Sequence, residues 1–250
     1  MNGLRGLILL LAAAAACPAA AETENRDVAP FDRVAFALPG TLTLERGEAH
    51  RVTVEALPED LERIETRVSG SELTLAWKAG RWFWHQGPEG EIRVRVVLPA
   101  LTALALNGSG DVDAGSWRSD RLAAELRGSG DLRFADLSAD EMALTIVGSG
   151  NASVTRLDAG RIRVRVDGSG DVVLAGTATA QEIEVRGSGN VDAVELEGVD
   201  VSVEVLGSGD VEVWSSGRLT ADVRGSGDVR YRGEPELESK QRGSGEVRPL

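Results

Sequence analysis

Gly-Ser-Gly followed by Asp, Asn or Glu occurs eight times, beginning at Gly108, Gly128, Gly148, Gly168, Gly187, Gly207, Gly225 and Gly243. The intervals are 20, 20, 20, 19, 20, 18 and 18 residues. So regular a period makes each repeat one structural unit that must stack on its neighbours, because one such unit cannot bury an apolar face alone. The register extends backwards in weaker form. Gly90-Glu91-Ile92 lies 20 residues before Gly110-Asp111-Val112, and Ser69-Gly70 lies 20 before Glu89-Gly90.

The residues between the glycines decide the kind of unit. Leu122, Ala124 and Leu126 alternate with polar residues, as do Met142, Leu144 and Ile146, and Ile162, Val164 and Val166. Shorter apolar runs follow the glycines, such as Leu132 and Phe134, or Val172 and Leu174. A period of two with β-branched enrichment specifies half-buried strands. The fold class expected is all-β: a β-solenoid of nine to ten coils, each with two or three short strands, stacked mainly in parallel about 4.8 Å apart. Hydrophobic residues make up 42% of the chain and aromatics 4%, so its core must be aliphatic.

The four-residue groups read as corners. Gly108-Ser109-Gly110-Asp111, Gly128-Ser129-Gly130-Asp131, Gly148-Ser149-Gly150-Asn151 and Gly168-Ser169-Gly170-Asp171 each combine glycines with side chains that bond turn backbone. Stacked, the fourth position becomes a column: Asp111, Asp131, Asn151, Asp171, Asn190, Asp210, Asp228, Glu246. Neutral Asn at two positions favours a hydrogen-bond acceptor over a required charge. Calcium is the alternative, since Gly- and Asp-rich repeats bind it in β-rolls. The interval here is about twice too long, and one carboxylate per coil is far short of six to eight ligands. No cofactor or metal is expected beyond weak calcium binding along the column.

Residues 1–21 read as a secretory signal: Arg5, an apolar stretch from Leu7 to Ala16, and a small-residue cleavage site between Ala21 and Glu22. Ala14-Ala15-Ala16-Cys17 offers a rival lipoprotein box, with Cys17 lipidated. Cys17 is the one cysteine, so cleavage after Ala21 leaves neither disulfide nor thiol nucleophile. No later apolar run spans a bilayer. The net charge of −13 sets the surface against nucleic acid and anionic lipid. The organisation expected is a linker at 22–30 and a single solenoid domain at 31–250, with irregular coils at 31–106 and the repeats at 107–250. The polar residues 233–242 should blunt the final edge, which favours a monomer.

Residues 77–90, WKAGRWFWHQGPEG, concentrate Trp77, Trp82, Phe83 and Trp84. Adjacent Trp-Phe-Trp cannot all face one core in extended chain, so these four are the candidate contact residues for a sugar ring or a protein. The competing reading has the segment covering the solenoid end. His50 and His85 are far apart and lack ligand spacing, which makes surface roles the simpler reading. Eight serines in one environment are turn residues rather than a singled-out nucleophile. Asp136, Asp140 and Glu141 could serve a polysaccharide-cleaving groove, but they lie among 40 acidic residues without a motif. No catalytic residue is assigned.

The opening "PFDRVAFALPGTLTLERGE" (Pro30 to Glu48), "VSGSELTL" (Val68 to Leu75) and the Gly-Ser-Gly-Asp/Asn series together resemble the putative auto-transporter adhesin, head GIN domain family, bacterial domains of unknown function. The resemblance implies a right-handed, parallel β-helix-like fold in exported or surface proteins. The family name suggests adhesion, and no catalytic residues come with it. Auto-transporters end in a membrane β-barrel; this chain stops at Leu250 after its last repeat, so no translocator of its own is expected. The function expected is a non-enzymatic binding or adhesion module in the periplasm or on the cell surface. Its partner would be an envelope or surface protein or a polysaccharide. The alternatives are a carbohydrate-active β-helix enzyme and a purely structural envelope protein.

Overall fold

Each repeat closes one three-sided coil. In β10 (Asp131–Gly148) the buried residues are Leu132 and Phe134, then Leu137 and Ala139, then Met142, Leu144 and Ile146. Within each group the step is two; between groups it is three. An odd step keeps a side chain pointing inward only if the chain has turned. Two such slips and the Gly-Ser-Gly corner make three corners. The same pattern runs through β9 (Asp111–Gly128) and β11 (Asn151–Gly168), and with small deletions through β12 (Val172–Gly187), β13 (Val191–Gly207) and β14 (Val211–Gly225).

The computed structural model describes residues 20–78 and 87–250. It is an all-β solenoid of about 7 turns, 73% strand with one short helix. Coils stack parallel and in register, with Leu132 beside Ala152, Met142 beside Ile162 and Gly148 beside Gly168. Stacking therefore sorts the core into columns. Leu106, Leu126, Ile146, Val166, Val185, Val205 and Val223 form one column, each no more than 1% exposed. Each aliphatic side chain buried this way stabilises the fold by about 1.5–3 kcal/mol. Outward positions carry ion pairs along and between coils. Arg165 lies 2.8 Å from Asp167 and 3.1 Å from Glu184 of the next coil, and the hydrogen bond it donates to Asp167 raises the pKa of this guanidinium.

At the corners the two glycines have different reasons. Gly128 sits at φ +132, where an L side chain is strained. Gly130 faces inward against the coil below, and a Cβ there would collide with the Gly110 carbonyl oxygen and press on Leu106. The Ser129 backbone N–H donates to the Gly108 carbonyl at 2.9 Å, tying corner to corner.

The N-terminal region does not follow chain order. β2 (Arg33–Ala37) lies parallel between β6 (Glu72–Trp77) and β8 (Ala103–Gly108). β3 (Thr41–Arg46) lies parallel between β7 (Arg93–Leu98) and β9. The coil made first in sequence is thus wedged between two made later. The end is then closed by antiparallel strands: β4 (Arg51–Ala56) on β7, β5 (Ile64–Ser69) on β6, and β1 (Glu22–Arg26) on β4. The helix α1 (Pro58–Arg63) buries Leu61.

Three expectations change. Residues 22–30, read as a linker, begin with strand β1, paired from Glu22 opposite Ala56 to Arg26 opposite Val52. There are about 7 turns instead of nine to ten, because residues 51–69 are spent on closing the end. Ser69-Gly70, counted as a degenerate corner, is the hairpin turn between β5 and β6, with Gly70 at φ +61. At the other end, β15 (Val229–Arg232) and β16 (Glu236–Gly243) pair with β14, and β17 (Val247–Pro249) pairs with β15. No helix among the described residues is long and apolar enough to cross a membrane.

Candidate functional site

The acidic and amide side chains after each corner form a ladder that runs from coil to coil. The backbone N–H of Asp131 donates to Asp111 Oδ1 at 2.9 Å, that of Asp171 to Asn151 Oδ1 at 3.1 Å, and that of Asn190 to Asp171 Oδ1 at 3.1 Å. Asp210, Asp228 and Glu246 continue it at 2.9–3.0 Å. The asparagines add a second bond: Asn151 Nδ2 reaches Asp131 at 3.0 Å and Asn190 Nδ2 reaches Asp171 at 2.9 Å. One side-chain oxygen at Asp111, Asn151, Asp171, Asn190, Asp210 and Asp228 is thereby committed to backbone; at Asp131 the Asn151 N–H donates to the Gly130 carbonyl instead. Among the described residues, no group of three or more His, Cys, Asp or Glu is placed to hold a metal ion.

The corner column departs from this pattern at one level. Leu38-Pro39-Gly40 joins β2 to β3 in three residues, and the Asp111 N–H donates to the Gly40 carbonyl at 2.8 Å. Pro39-Gly40 thus stands where later coils have Ser-Gly. One coil nearer the N-terminal end, the corresponding connection from β6 to β7 runs from Lys78 to Ile92. It contains the aromatic segment. Trp82, Phe83, Trp84 and His85 lie outside the described residues, but both ends of the connection are described.

Those ends are fastened to α1. The Asp60 carboxylate is fully buried. Its Oδ2 accepts the backbone N–H groups of Glu89 at 2.9 Å and Gly90 at 3.3 Å, and its Oδ1 accepts Arg63 Nη1 at 3.0 Å. A buried carboxylate with this many donors is compensated. On the other side, the Lys78 N–H donates to the Arg63 carbonyl at 2.8 Å, and Lys78 Nζ donates to the Glu62 carbonyl at 2.5 Å. The Arg63 guanidinium carbon lies 4.8 Å from the centre of the Trp77 ring, within cation–π range. Trp77 is half-buried and packs against the core. A helix of six residues therefore holds both ends of the long connection. Asp60 and Arg63 escaped the sequence reading. Their signal was Pro-Glu-Asp at the start of a short stretch with Arg at its end, a helix signature.

The other candidates do not converge on a site. His50 is no simple surface residue: its Nε2 hydrogen-bonds the Phe31 carbonyl at 2.8 Å and its ring packs on the edge of Phe31 at 4.9 Å. Asp136 pairs with Arg156 at 2.8 Å and Glu141 with Arg121 at 3.4 Å, as rungs of the outer ion-pair pattern. Asp140 lines a shallow polar hollow with Asp120 and Asp158. Ser109, Ser129, Ser149 and Ser169 are exposed at the corner tips, and among the described residues no hydrogen bond joins them to a histidine.

Comparison with known proteins gives a consistent picture. A family model described as "Putative auto-transporter adhesin, head GIN domain" matches residues 30–235. A solved structure from Parabacteroides distasonis, described as a putative lipid binding protein, superposes with a TM-score of 0.86 at 20% identity, covering 92% of this chain and 97% of that one. A putative adhesin from the same species gives 0.86 at 21% identity, covering 93% and 98%. A putative adhesin from Parabacteroides merdae gives 0.85 at 18% identity, covering 92% and 96%. Likeness at these identities concerns the fold. No curated protein matches the sequence.

Proposed function

Since the chain belongs to the family of putative auto-transporter adhesins with a head GIN domain, we propose that it is an exported, non-enzymatic binding module of the cell envelope or surface. In this reading the repeats are scaffold, and the contact is made at the N-terminal end by Trp77 and the segment carrying Trp82, Phe83 and Trp84. One observation carries it. Where the β2–β3 coil turns in three residues, this one inserts a long aromatic connection and anchors both its ends to a dedicated helix, one through buried Asp60 and the other through the Glu62 and Arg63 carbonyls. Scaffold closure alone needs no such insertion, and aromatic rings suit stacking on sugar faces or on a protein. The ligand class proposed is a surface polysaccharide. Export follows from the leader at residues 1–21, processed after Ala21 or lipidated at Cys17.

The test is a glycan array probed with the chain lacking its leader, beside a Trp82→Ala/Phe83→Ala/Trp84→Ala variant that melts cooperatively. Binding by the parent and at least a tenfold loss in the variant, roughly 1.4 kcal/mol, is expected. The expected binding is insensitive to EDTA, because the aspartate column is occupied by its own hydrogen bonds. Equal binding by both proteins would remove the aromatic segment from the account. Activity lost to EDTA would make the column a calcium site.

A further inference from the structure

The last coil leaves the strand β16 with an open edge. β16 pairs with β14 along one side, from Glu236 beside Arg218 to Gly243 beside Gly225, and among the described residues no strand pairs with its other side. Nothing stacks on its inward positions, so Leu237 is 40% exposed and Ser239 and Gln241 are exposed as well. The outward positions read Glu236, Glu238, Lys240, Arg242. Lys240 lies 3.8 Å from Glu238 of its own strand; among the described residues neither Glu236 nor Arg242 has an ion-pair partner.

A polar, charged edge normally discourages association. The order of these charges does the opposite for one partner. Read in the reverse direction, the outward positions run basic, basic, acidic, acidic. A second copy laid antiparallel about a two-fold axis through Ser239 sets Glu238 opposite Lys240 of that copy and Glu236 opposite its Arg242. The inward positions then match too, with Ser239 beside Ser239 and Leu237 beside Gln241. Registers shifted by two residues keep the faces but set Glu238 opposite Glu238, or Lys240 opposite Lys240, and like charges directly opposite are unfavourable. The two-fold contact is isologous and closes on itself, so it yields a dimer and no fibre. We propose that β16 is a self-recognition edge through which two copies pair, C-terminal end to C-terminal end, in the register centred on Ser239.

The contact is a single strand of eight residues. It buries far less than the ~1,600 Å² of a standard interface, so the dimer is weak and salt-sensitive. Sedimentation equilibrium of the chain without its leader, up to about 1 mM at low ionic strength, should show a mass rising towards twice the monomer and falling back with added salt. Two variants specify the register. Glu236→Lys/Glu238→Lys makes the edge wholly basic, and Lys240→Glu/Arg242→Glu makes it wholly acidic. Each alone should sediment as a monomer, and their equimolar mixture should regain the doubled mass. A wild-type chain that stays monomeric throughout, a single variant that still doubles its mass, or a mixture that does not would each overturn the proposal. All three readouts are independent of any glycan.

Discussion

A methyl group added at Gly130 meets the carbonyl oxygen of Gly110 and the side chain of Leu106 at once. Either the coil spacing opens at that corner or the ladder bends, so Gly130→Ala should destabilise by about 1–3 kcal/mol, read as a lowered denaturation midpoint. Ser129→Ala, one residue away at the exposed tip, should fall within about 0.5 kcal/mol of the parent. Similar costs at both positions would mean that corner contact is not what selects glycine. The ladder makes a parallel distinction. Asp171 Oδ1 accepts both the backbone N–H and Nδ2 of Asn190. Asp171→Asn retains an acceptor and should be nearly neutral, whereas Asp171→Ala should cost about 1 kcal/mol in urea denaturation. Gln181 is the opposite case. It replaces an aliphatic residue in the column between Ile162 and Val201; its Nε2 donates to the Leu196 carbonyl at 2.9 Å, but its Oε1 is buried without a partner. Gln181→Leu keeps the shape and removes that acceptor. It should raise the unfolding midpoint, by about 1 kcal/mol in stability, and a lowered midpoint would show that the amide is satisfied.

At the scale of elements, the helix α1 is small but holds the long connection at both ends. Asp60→Ala would leave the backbone N–H groups of Glu89 and Gly90 and the guanidinium of Arg63 without this carboxylate, an effect of about 3 kcal/mol when a buried ion pair is broken. Hydrogen exchange at Glu89 and Gly90 should quicken markedly, while exchange in β10 to β13 is unchanged. Unaltered exchange at those two amides would separate Asp60 from the connection. The repeat strands were legible in the sequence because period-two alternation and the glycine columns are local signals. The three-sided section was less so. It depends on one-residue slips, such as Phe134 to Leu137, that look like noise until coils are stacked. The N-terminal closure was illegible for a different reason. Ser69-Gly70 has the composition of a corner and the spacing of the repeat, yet it turns a hairpin, because the strand it leads into, β6, pairs antiparallel with β5. Arg63 is close in sequence to Asp60, but the backbone groups that Asp60 holds are 29 and 30 residues away, so nothing local marks it as the anchor of the connection.

For the whole molecule, quasi-repetition makes stability a sum over coils and the contacts between them. Deleting residues 131–150 joins Gly130 directly to Asn151 and preserves both the corner and the column. The shortened chain should fold, keep its far-ultraviolet β signature and melt cooperatively at a lower temperature, as scanning calorimetry would show. A molten or unfolded product would mean that the coils are not interchangeable units. The wedged position of β2 and β3 has another consequence, which concerns time. β2 and β3 emerge early from an N-terminus-first chain, but neither has both of its neighbours until β8 and β9 have followed, with Ala103 opposite Arg33 and Asp111 opposite Thr41, about 70 residues later in each case. The opening half must therefore wait and close in one long-range event, which is slow. Everything after Gly128 meets a finished template, so each further Gly-Ser-Gly that emerges can lock one more turn into place without disturbing those already made.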